Sequence, residues 1–199
     1  MLQKIFVLLS ITAIVLLAIL FRSTDQTAPV DLQVDTNNPQ LTINIVAHKV
    51  AGEHMFVTKR GNEEIMLVIN AAQQIWSQAN IVFEISVIET KVSEQAIKAF
   101  TNGNFNAVLE EDFYQQGVIN IFFIDNLPAN GLAVNPSAAF VNDSTSVNDF
   151  RATAHEIGHL LGLEHTSVSQ TRLLCRGVNG ALLIPAEIDL ARTNAAVFK

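Results

Sequence analysis

The sequence contains one cysteine, Cys175, among 199 residues. A single thiol excludes an intramolecular disulfide and a structural metal site built from several cysteines. Basic residues are also few and scattered, with 12 Lys and Arg against 19 Asp and Glu and a formal net charge of -7. Because a nucleic-acid-binding surface needs clustered Lys and Arg, we expect no nucleic-acid partner. The fold must therefore be held together by its apolar core, with help from a metal ion if the chain binds one.

Charged side chains are absent from residues 5–21, where nothing is more polar than Ser10 and Thr12. As a helix this segment spans about 25 Å, close to the ~30 Å thickness of the hydrocarbon core of a bilayer. No convincing A-x-A cleavage site follows it, so the sequence favours an uncleaved membrane anchor over a removed signal peptide. A buried helix of the globular domain is the third alternative. Either membrane interpretation places the rest of the chain outside the cytoplasm.

The rest of the chain has the composition of one globular domain behind a polar tether. We divide the sequence into a membrane anchor or signal segment at 1–22, a linker at 23–40 and a domain at 41–199. Residue periodicity within the domain predicts strands at 41–48, 81–89 and 117–127, helices at 62–80, 147–161 and 185–198, a partly helical stretch at 93–116, and a loop at 128–146 around one short strand near 138–141. Strands that alternate with helices predict a largely parallel sheet layered with helices.

The segment HEIGHLLGLEH, which begins at His155, has the spacing of a catalytic zinc site. Residues four apart on an α-helix lie about 40° apart around its axis, so His155 and His159 would direct both imidazoles at one metal ion. Glu156 is the next residue round the helix and is placed to accept a proton from a water on that ion. Gly162 can end the helix in a left-handed turn, which makes His165 available as the third ligand. Three protein ligands leave the fourth position of a tetrahedral Zn²⁺ for water.

The other candidate residues have simpler interpretations. Three of the five histidines fall within this one segment, which favours a metal site over chance. His48 and His54 lie in a predicted strand and the loop after it, and isolated histidines in such places usually bind no metal. Glu164 and Glu187 are expected to be solvated or paired locally, because Glu is rarely buried without a partner.

The motif resembles that of the metzincin clan of zinc peptidases, whose signature HExxHxxGxxH is matched at every fixed position. Within the clan, HEIGHLLGLEHT is most similar to the matrixin sequence HExGHxLGLxHS, with Thr166 in place of Ser. The resemblance extends more weakly over 41–199 and implies an α+β fold with a twisted five-stranded mixed sheet and about three main helices. It also implies an antiparallel edge strand near 138–142 that pairs with the substrate backbone, and a cleft between that strand and the active-site helix.

The sequence departs from the family pattern below the metal. Metzincins have a methionine turn there, but no Met follows His165. Leu173 or Leu174 is expected to fill that hydrophobic floor, a nearly volume-conserving change, and spacing does not decide between them. The matrixin propeptide cysteine motif and the second, structural zinc site have no counterpart. Cys175 is either a small buried side chain of this loop or a thiolate that reaches the metal and inhibits the enzyme.

The sequence therefore predicts an endopeptidase with one catalytic Zn²⁺ and Glu156 as general base. Its partners would be peptide or protein substrates and, through residues 5–21, a membrane; we expect a monomer, secreted if that segment is cleaved. The altered floor and the missing activation device leave an alternative, a catalytically weak or inactive membrane-tethered zinc-binding domain used for protein interaction. Zinc–water chemistry also permits hydrolysis of a non-peptide amide or ester.

Overall fold

The computed structural model describes Leu32 and residues 38–198. The predicted anchor at 5–21 and most of the linker at 23–40 lie outside the described residues. Within the part of the chain that is described, no helix combines the length and apolar character needed to cross a bilayer. The division into anchor, linker and domain therefore stays a prediction.

Five strands in the described part of the chain form a single sheet, which is the frame of the domain. They are β1 (Leu41–Ala51), β2 (Ile81–Lys91), β3 (Ile119–Ile124), β4 (Gly131–Asn135) and β5 (Ala138–Asn142). Their order across the sheet is β2-β1-β3-β5-β4. β1 runs parallel to β2 and β3, and β3 runs parallel to β5, whereas β4 is antiparallel to β5. A mixed five-stranded sheet with one antiparallel edge strand confirms the fold class expected from the sequence.

The position expected for the antiparallel edge strand is wrong. The segment near 138–142 is β5, which lies inside the sheet and pairs in parallel with β3. The edge strand is β4, in a stretch where the sequence pattern predicts loop. β4 is only five residues long, all of them half-buried, and its register with β5 shifts between Ala133 and Asn135. An irregular strand of that length has no clear alternation of apolar and polar residues, so periodicity does not reveal it.

In the described residues, four α-helices pack on the two faces of the sheet. They are α1 (Asn62–Trp76), α2 (Glu94–Thr101), α3 (Asp149–Leu160) and α4 (Pro185–Ala195). The three longer helices, α1, α3 and α4, contribute buried residues to one apolar core. The short helix α2 contributes to a second core, together with the 3₁₀ helix at Phe105–Glu110. The long helix expected at 62–80 and the last helix expected at 185–198 both end a few residues earlier, in 3₁₀ turns.

β3 shows why the sheet needs both cores. Ile121 and Phe123 belong to the first core, and Phe122 and Ile124 belong to the second. Alternate side chains of a strand point to opposite faces, so a strand covered on both faces is expected to be almost wholly apolar. All six residues of β3 are buried, as the almost wholly apolar run at 117–127 predicts, and Asn120 is the polar exception.

His48 in β1 is a structural residue on the face of the sheet that carries the second core. Its Nε2 donates to Asn120 Oδ1 at 3.0 Å, since the Asn120 amide nitrogen already donates to main-chain carbonyls, and the Thr90 hydroxyl donates to its Nδ1 at 3.0 Å. The ring also stacks on Phe122 with centroids 4.2 Å apart. Complete burial lowers the pKa of His48 to about 4, so the imidazole is neutral at neutral pH. Both ring nitrogens are used in hydrogen bonds, so His48 has a structural role in the core.

Candidate active site

Helix α3 places two histidines side by side with fixed orientations. His155 Nδ1 donates to the Leu173 carbonyl at 2.8 Å, and His159 Nδ1 donates to the Leu163 carbonyl at 2.8 Å. Because a neutral imidazole carries one proton, both Nε2 atoms are left as lone-pair donors. Burial is the main cause that lowers the pKa of His155 to about 3, and it also lowers the pKa of His159. Both rings are therefore in the neutral form that a metal ligand requires.

A glycine bend after α3 brings in the third histidine. Gly162 has a φ of +80°, a left-handed conformation that residues with a Cβ rarely adopt. The Leu163 N–H donates to the Gly158 carbonyl at 2.8 Å and the Gly162 N–H to the His159 carbonyl at 3.0 Å, the two bonds of a Schellman C-cap. Asn194 of α4 donates to the Leu161 carbonyl at 3.0 Å and occupies the space that a side chain at position 162 would need.

The three imidazoles converge on one point. The Nε2 atoms of His155, His159 and His165 are each 3.1 Å from the other two. At a Zn–N distance of ~2.05 Å, nitrogens 3.1 Å apart subtend about 100° at the ion, close to the tetrahedral angle. Three nitrogens at this spacing fit one zinc ion. Among the described residues they form the one cluster of metal-ligating side chains, and it does not include Cys175, His48 or His54.

Glu156 lies beside this cluster with its carboxylate against β4. The residue is 6% exposed, and burial raises the pKa of its carboxyl to about 7, although a hydrogen bond from the Ala133 N–H and the charge of Arg151 act in the opposite direction. Gly131 leaves the space that the carboxylate fills. A Cβ at position 131 would lie 2.5 Å from Glu156 Cγ and 2.6 Å from Oε1. The strand that sequence periodicity does not reveal therefore shapes the pocket of the candidate general base.

Replacing Gly131 with Ala should displace the Glu156 carboxylate while leaving the three histidines in place. Displacing a catalytic group by about 1 Å can lower the rate roughly 100-fold. We therefore expect kcat/KM to fall by about that factor, with zinc content unchanged. The control is Gly61→Ala, because nothing lies within 4 Å of an added Cβ there. Peptidase assays and elemental analysis of both variants test this. A Gly131→Ala enzyme as active as the Gly61→Ala enzyme would contradict the steric argument.

Arg151 connects α3 by hydrogen bonds to the loop that contains Leu173 and Cys175. Its guanidinium is 3% exposed and donates to the carbonyls of Leu173, Cys175 and Gly180, the last at 3.2 Å. The Leu173 carbonyl thus accepts from both Arg151 and the ring of His155, so Arg151 helps to fix the orientation of His155. Sequence reasoning missed Arg151. The available signal was a charged side chain one helical turn before His155, on the same face of α3.

Leu173 and Leu174, which follow the three histidines in the chain, have different roles next to α3. Leu173 supplies the carbonyl that orients His155, whereas the Leu174 side chain packs against Gly158, at 3.3 Å from where a Cβ would stand. Both leucines are fully buried. Trp76 of α1 also lies close to Gly158, at 3.7 Å from where a Cβ would stand, and donates to the Ala154 carbonyl at 3.3 Å. Gly158 must therefore stay small, and Leu174 is the side chain in contact with the helix that carries the ligands.

A cleft of about 820 Å³ opens over these residues. β4 forms one wall and α3 another, and the exposed side chain of Arg176 lies at its margin. Glu164 also lines the cleft and is exposed, as expected. Glu187 is instead half-buried in an ion pair with Arg172, the local pairing that the sequence analysis offered as an alternative.

The chain was compared with known proteins and structures. The model of the Reprolysin_5 group, metallo-peptidase family M12, matches residues 42–186. No curated protein matches the chain. In the crystal structure of metalloproteinase-II from Bacteroides fragilis, the fold aligns with a TM-score of 0.52 at 20% identity, over 77% of this chain and 53% of that one.

That metalloproteinase shares the fold, and this chain spans about half of its length. A chain from a chaperone–substrate complex aligns with a TM-score of 0.48 at 12% identity, over 80% of this chain and 36% of that chain. The family match covers more than half of the sequence and includes the whole histidine motif. The chain belongs to metallo-peptidase family M12, in its Reprolysin_5 group.

Proposed function

We propose that the chain is a zinc-dependent endopeptidase of the metzincin type. His155, His159 and His165 would hold the ion, and Glu156 would act as the general base. The convergence of three Nε2 atoms, each 3.1 Å from the others, is the observation that carries this proposal. Membership of a metallopeptidase family supports hydrolysis of peptide bonds as the reaction. The motif's likeness to matrixins is compatible with this proposal but is not needed for it.

The groups of the site would have separate roles in peptide hydrolysis. A bound zinc ion supplies a Lewis acid that lowers the pKa of water and polarises a carbonyl. Glu156 accepts the proton from the attacking water at its carboxylate and then delivers it to the leaving amine. Burial raises the pKa of the Glu156 carboxyl, so it is a stronger base than an exposed Glu side chain. The Ala133 N–H holds the carboxylate against β4 during the cycle.

The substrate would bind as an extended strand along β4. Because β4 is at the edge of the sheet and pairs with β5 on one side, its other side is open to a peptide backbone. The same strand lines the cleft next to Glu156, so a peptide added there would pass the metal cluster. The substrate-binding strand would therefore be Gly131–Asn135, and not the 138–142 segment expected from the resemblance.

The place of action is a second part of the proposal. The apolar run at 5–21 would anchor the enzyme in a membrane, with the domain outside the cytoplasm and 23–40 as its linker. The interaction-domain alternative is favoured by one observation, the replacement of the methionine turn by leucines. It is opposed by the retention of a buried Glu156 beside an intact ligand set.

A peptide-library digest with the full chain tests the proposal. We expect cleavage of internal peptide bonds that a zinc chelator abolishes and that added Zn²⁺ restores, because the three ligands lose their ion in the first step and regain it in the second. Mass spectrometry of the products shows which bonds are cut. Cleavage that persists in chelator would contradict the metal mechanism.

Two further outcomes would favour the alternatives. A zinc-loaded chain that cuts no peptide would support the interaction domain, and one that cuts only esters or non-peptide amides would support the other hydrolase. The measured zinc content of each sample distinguishes an inactive protein from one that has lost its metal.

A further inference from the structure

Arg176 is a cation without an anionic partner at the margin of the cleft. The structure describes five arginines, and four of them donate to carboxylate or main-chain oxygens, namely Arg60, Arg151, Arg172 and Arg192. The guanidinium of Arg176 instead lies 2.9 Å from His165 Nδ1, and no oxygen of the described residues accepts from it. Arg176 is exposed and lines the same cleft as Glu156.

The contact between Arg176 and His165 cannot persist when His165 holds a metal ion through Nε2. A neutral imidazole that ligates through Nε2 carries its proton on Nδ1, and a guanidinium has donors and no acceptor. Two N–H groups facing each other at 2.9 Å repel, so the guanidinium must turn away from the ring. Its charge then faces a cleft in which the other cation, Arg151, is already bound to three carbonyls.

The acceptor that suits a free guanidinium is a carboxylate, which it can bind through two parallel hydrogen bonds. The two carboxylates of the cleft itself do not take this place: Glu156 lies against β4, and Glu164 forms no ion pair with Arg176. The chain has a net charge of -7, so it has no general attraction for acidic peptides. A preference for acidic substrates would need a local cation next to the scissile bond, and Arg176 is one.

We propose that Arg176 selects peptides with a carboxylate close to the scissile bond, supplied by an Asp or Glu side chain or by the carboxyl terminus of the substrate. The inference rests on the peptidase function proposed above. It makes Arg176 a specificity-determining residue of the cleft, distinct from the ligands and the general base.

The test uses matched peptides and the full zinc-loaded chain. One set places Glu or Gln at each position around a cleaved bond, and a second set ends in a free acid or an amide near that bond. We expect kcat/KM to be about 5- to 10-fold higher for the acidic member of one pair at low salt and the ratio to shrink at high salt, because the contact is charged and partly exposed. The set that shows the preference identifies the source of the carboxylate.

Two variants separate Arg176 from the overall charge of the protein. Arg176→Gln should bring the acid-to-neutral ratio to about one, and Arg176→Lys should retain part of it, since Lys keeps the charge without the planar pair of donors. Lys98→Gln is the control, because it removes one positive charge from an exposed position of α2 on the other side of the sheet. It should keep the wild-type ratio. Equal ratios in the wild-type and Arg176→Gln enzymes would overturn the inference.

Peptide binding provides a readout that does not depend on turnover. In the Glu156→Gln variant the dissociation constants of the same pairs should show the same 5- to 10-fold ratio, and Arg176→Gln in that background should remove it. If no peptide is cleaved by the zinc-loaded chain, the proposed function fails. The binding ratio then still decides whether Arg176 recognises carboxylates, and a ratio of one refutes that.

Discussion

Replacing Glu156 with Gln should lower kcat/KM by about a thousandfold, because general base catalysis contributes roughly 10²- to 10⁴-fold. The amide has the size of the carboxylate and its oxygen can still accept from the Ala133 N–H, so the local packing is kept. It cannot accept a proton from water. Zinc content should stay at one ion per chain, since Glu156 is outside the ligand cluster. Peptide cleavage rates and elemental analysis together test the two halves of this expectation.

The matched control is Glu84→Gln, which removes one carboxylate from β2, at the edge of the sheet opposite to β4 and outside the cleft. Glu84 is exposed and the structure gives its side chain no hydrogen bond or ion pair among the described residues, so its replacement should change kcat/KM by less than about threefold. A Glu156→Gln enzyme that cleaves peptides at the native rate would remove Glu156 from the mechanism. A variant that has lost its zinc would instead show that the carboxylate supports the ligands.

The convergence of the three histidines follows from the sequence because every step is local. The spacing of His155 and His159 is fixed by the helix, and Gly162 takes the left-handed conformation that its position in the motif predicts. His165 is only three residues further, so short-range geometry brings it to the other two rings. The fold class follows for a related reason, since five of the six residues of β3 are apolar, a pattern that indicates an inner strand covered on both faces.

The features that sequence reasoning missed depend on contacts distant in the chain. β4 is five residues long and irregular, and its role comes from Glu156, which approaches Gly131 from α3. Arg151 donates to carbonyls more than twenty residues away in the chain, so the sequence around it does not indicate its partners. The same limit applies to the floor loop. Leu173 and Leu174 are adjacent and equally apolar, and only the packing against Gly158 distinguishes the side chain of Leu174.

Replacing His165 with Ala should remove the metal rather than the fold. Mutating a residue that hydrogen-bonds to a zinc ligand lowers zinc affinity by about 10- to 100-fold. Loss of the ligand itself should therefore lower zinc affinity by more than about 100-fold. His165 is exposed and follows the Schellman bend, whose bonds involve main-chain atoms and do not depend on its ring. The sheet and both cores should therefore persist, with circular dichroism like that of the metal-free wild-type chain. Peptidase activity should fall in proportion to the zinc lost.

His54→Ala is the matched control for this loss. His54 is half-buried, its ring nitrogens have no hydrogen-bond partner, and it is outside the metal-ligating cluster. Its replacement should leave the zinc dissociation constant, measured by competition with a chelator, within about threefold of the wild-type value. Full zinc occupancy in the His165→Ala chain would contradict a three-histidine site. The proposed peptidase needs three histidine ligands that leave the fourth coordination position of the zinc ion for water. Full occupancy without His165 would therefore also remove the structural basis for a peptidase.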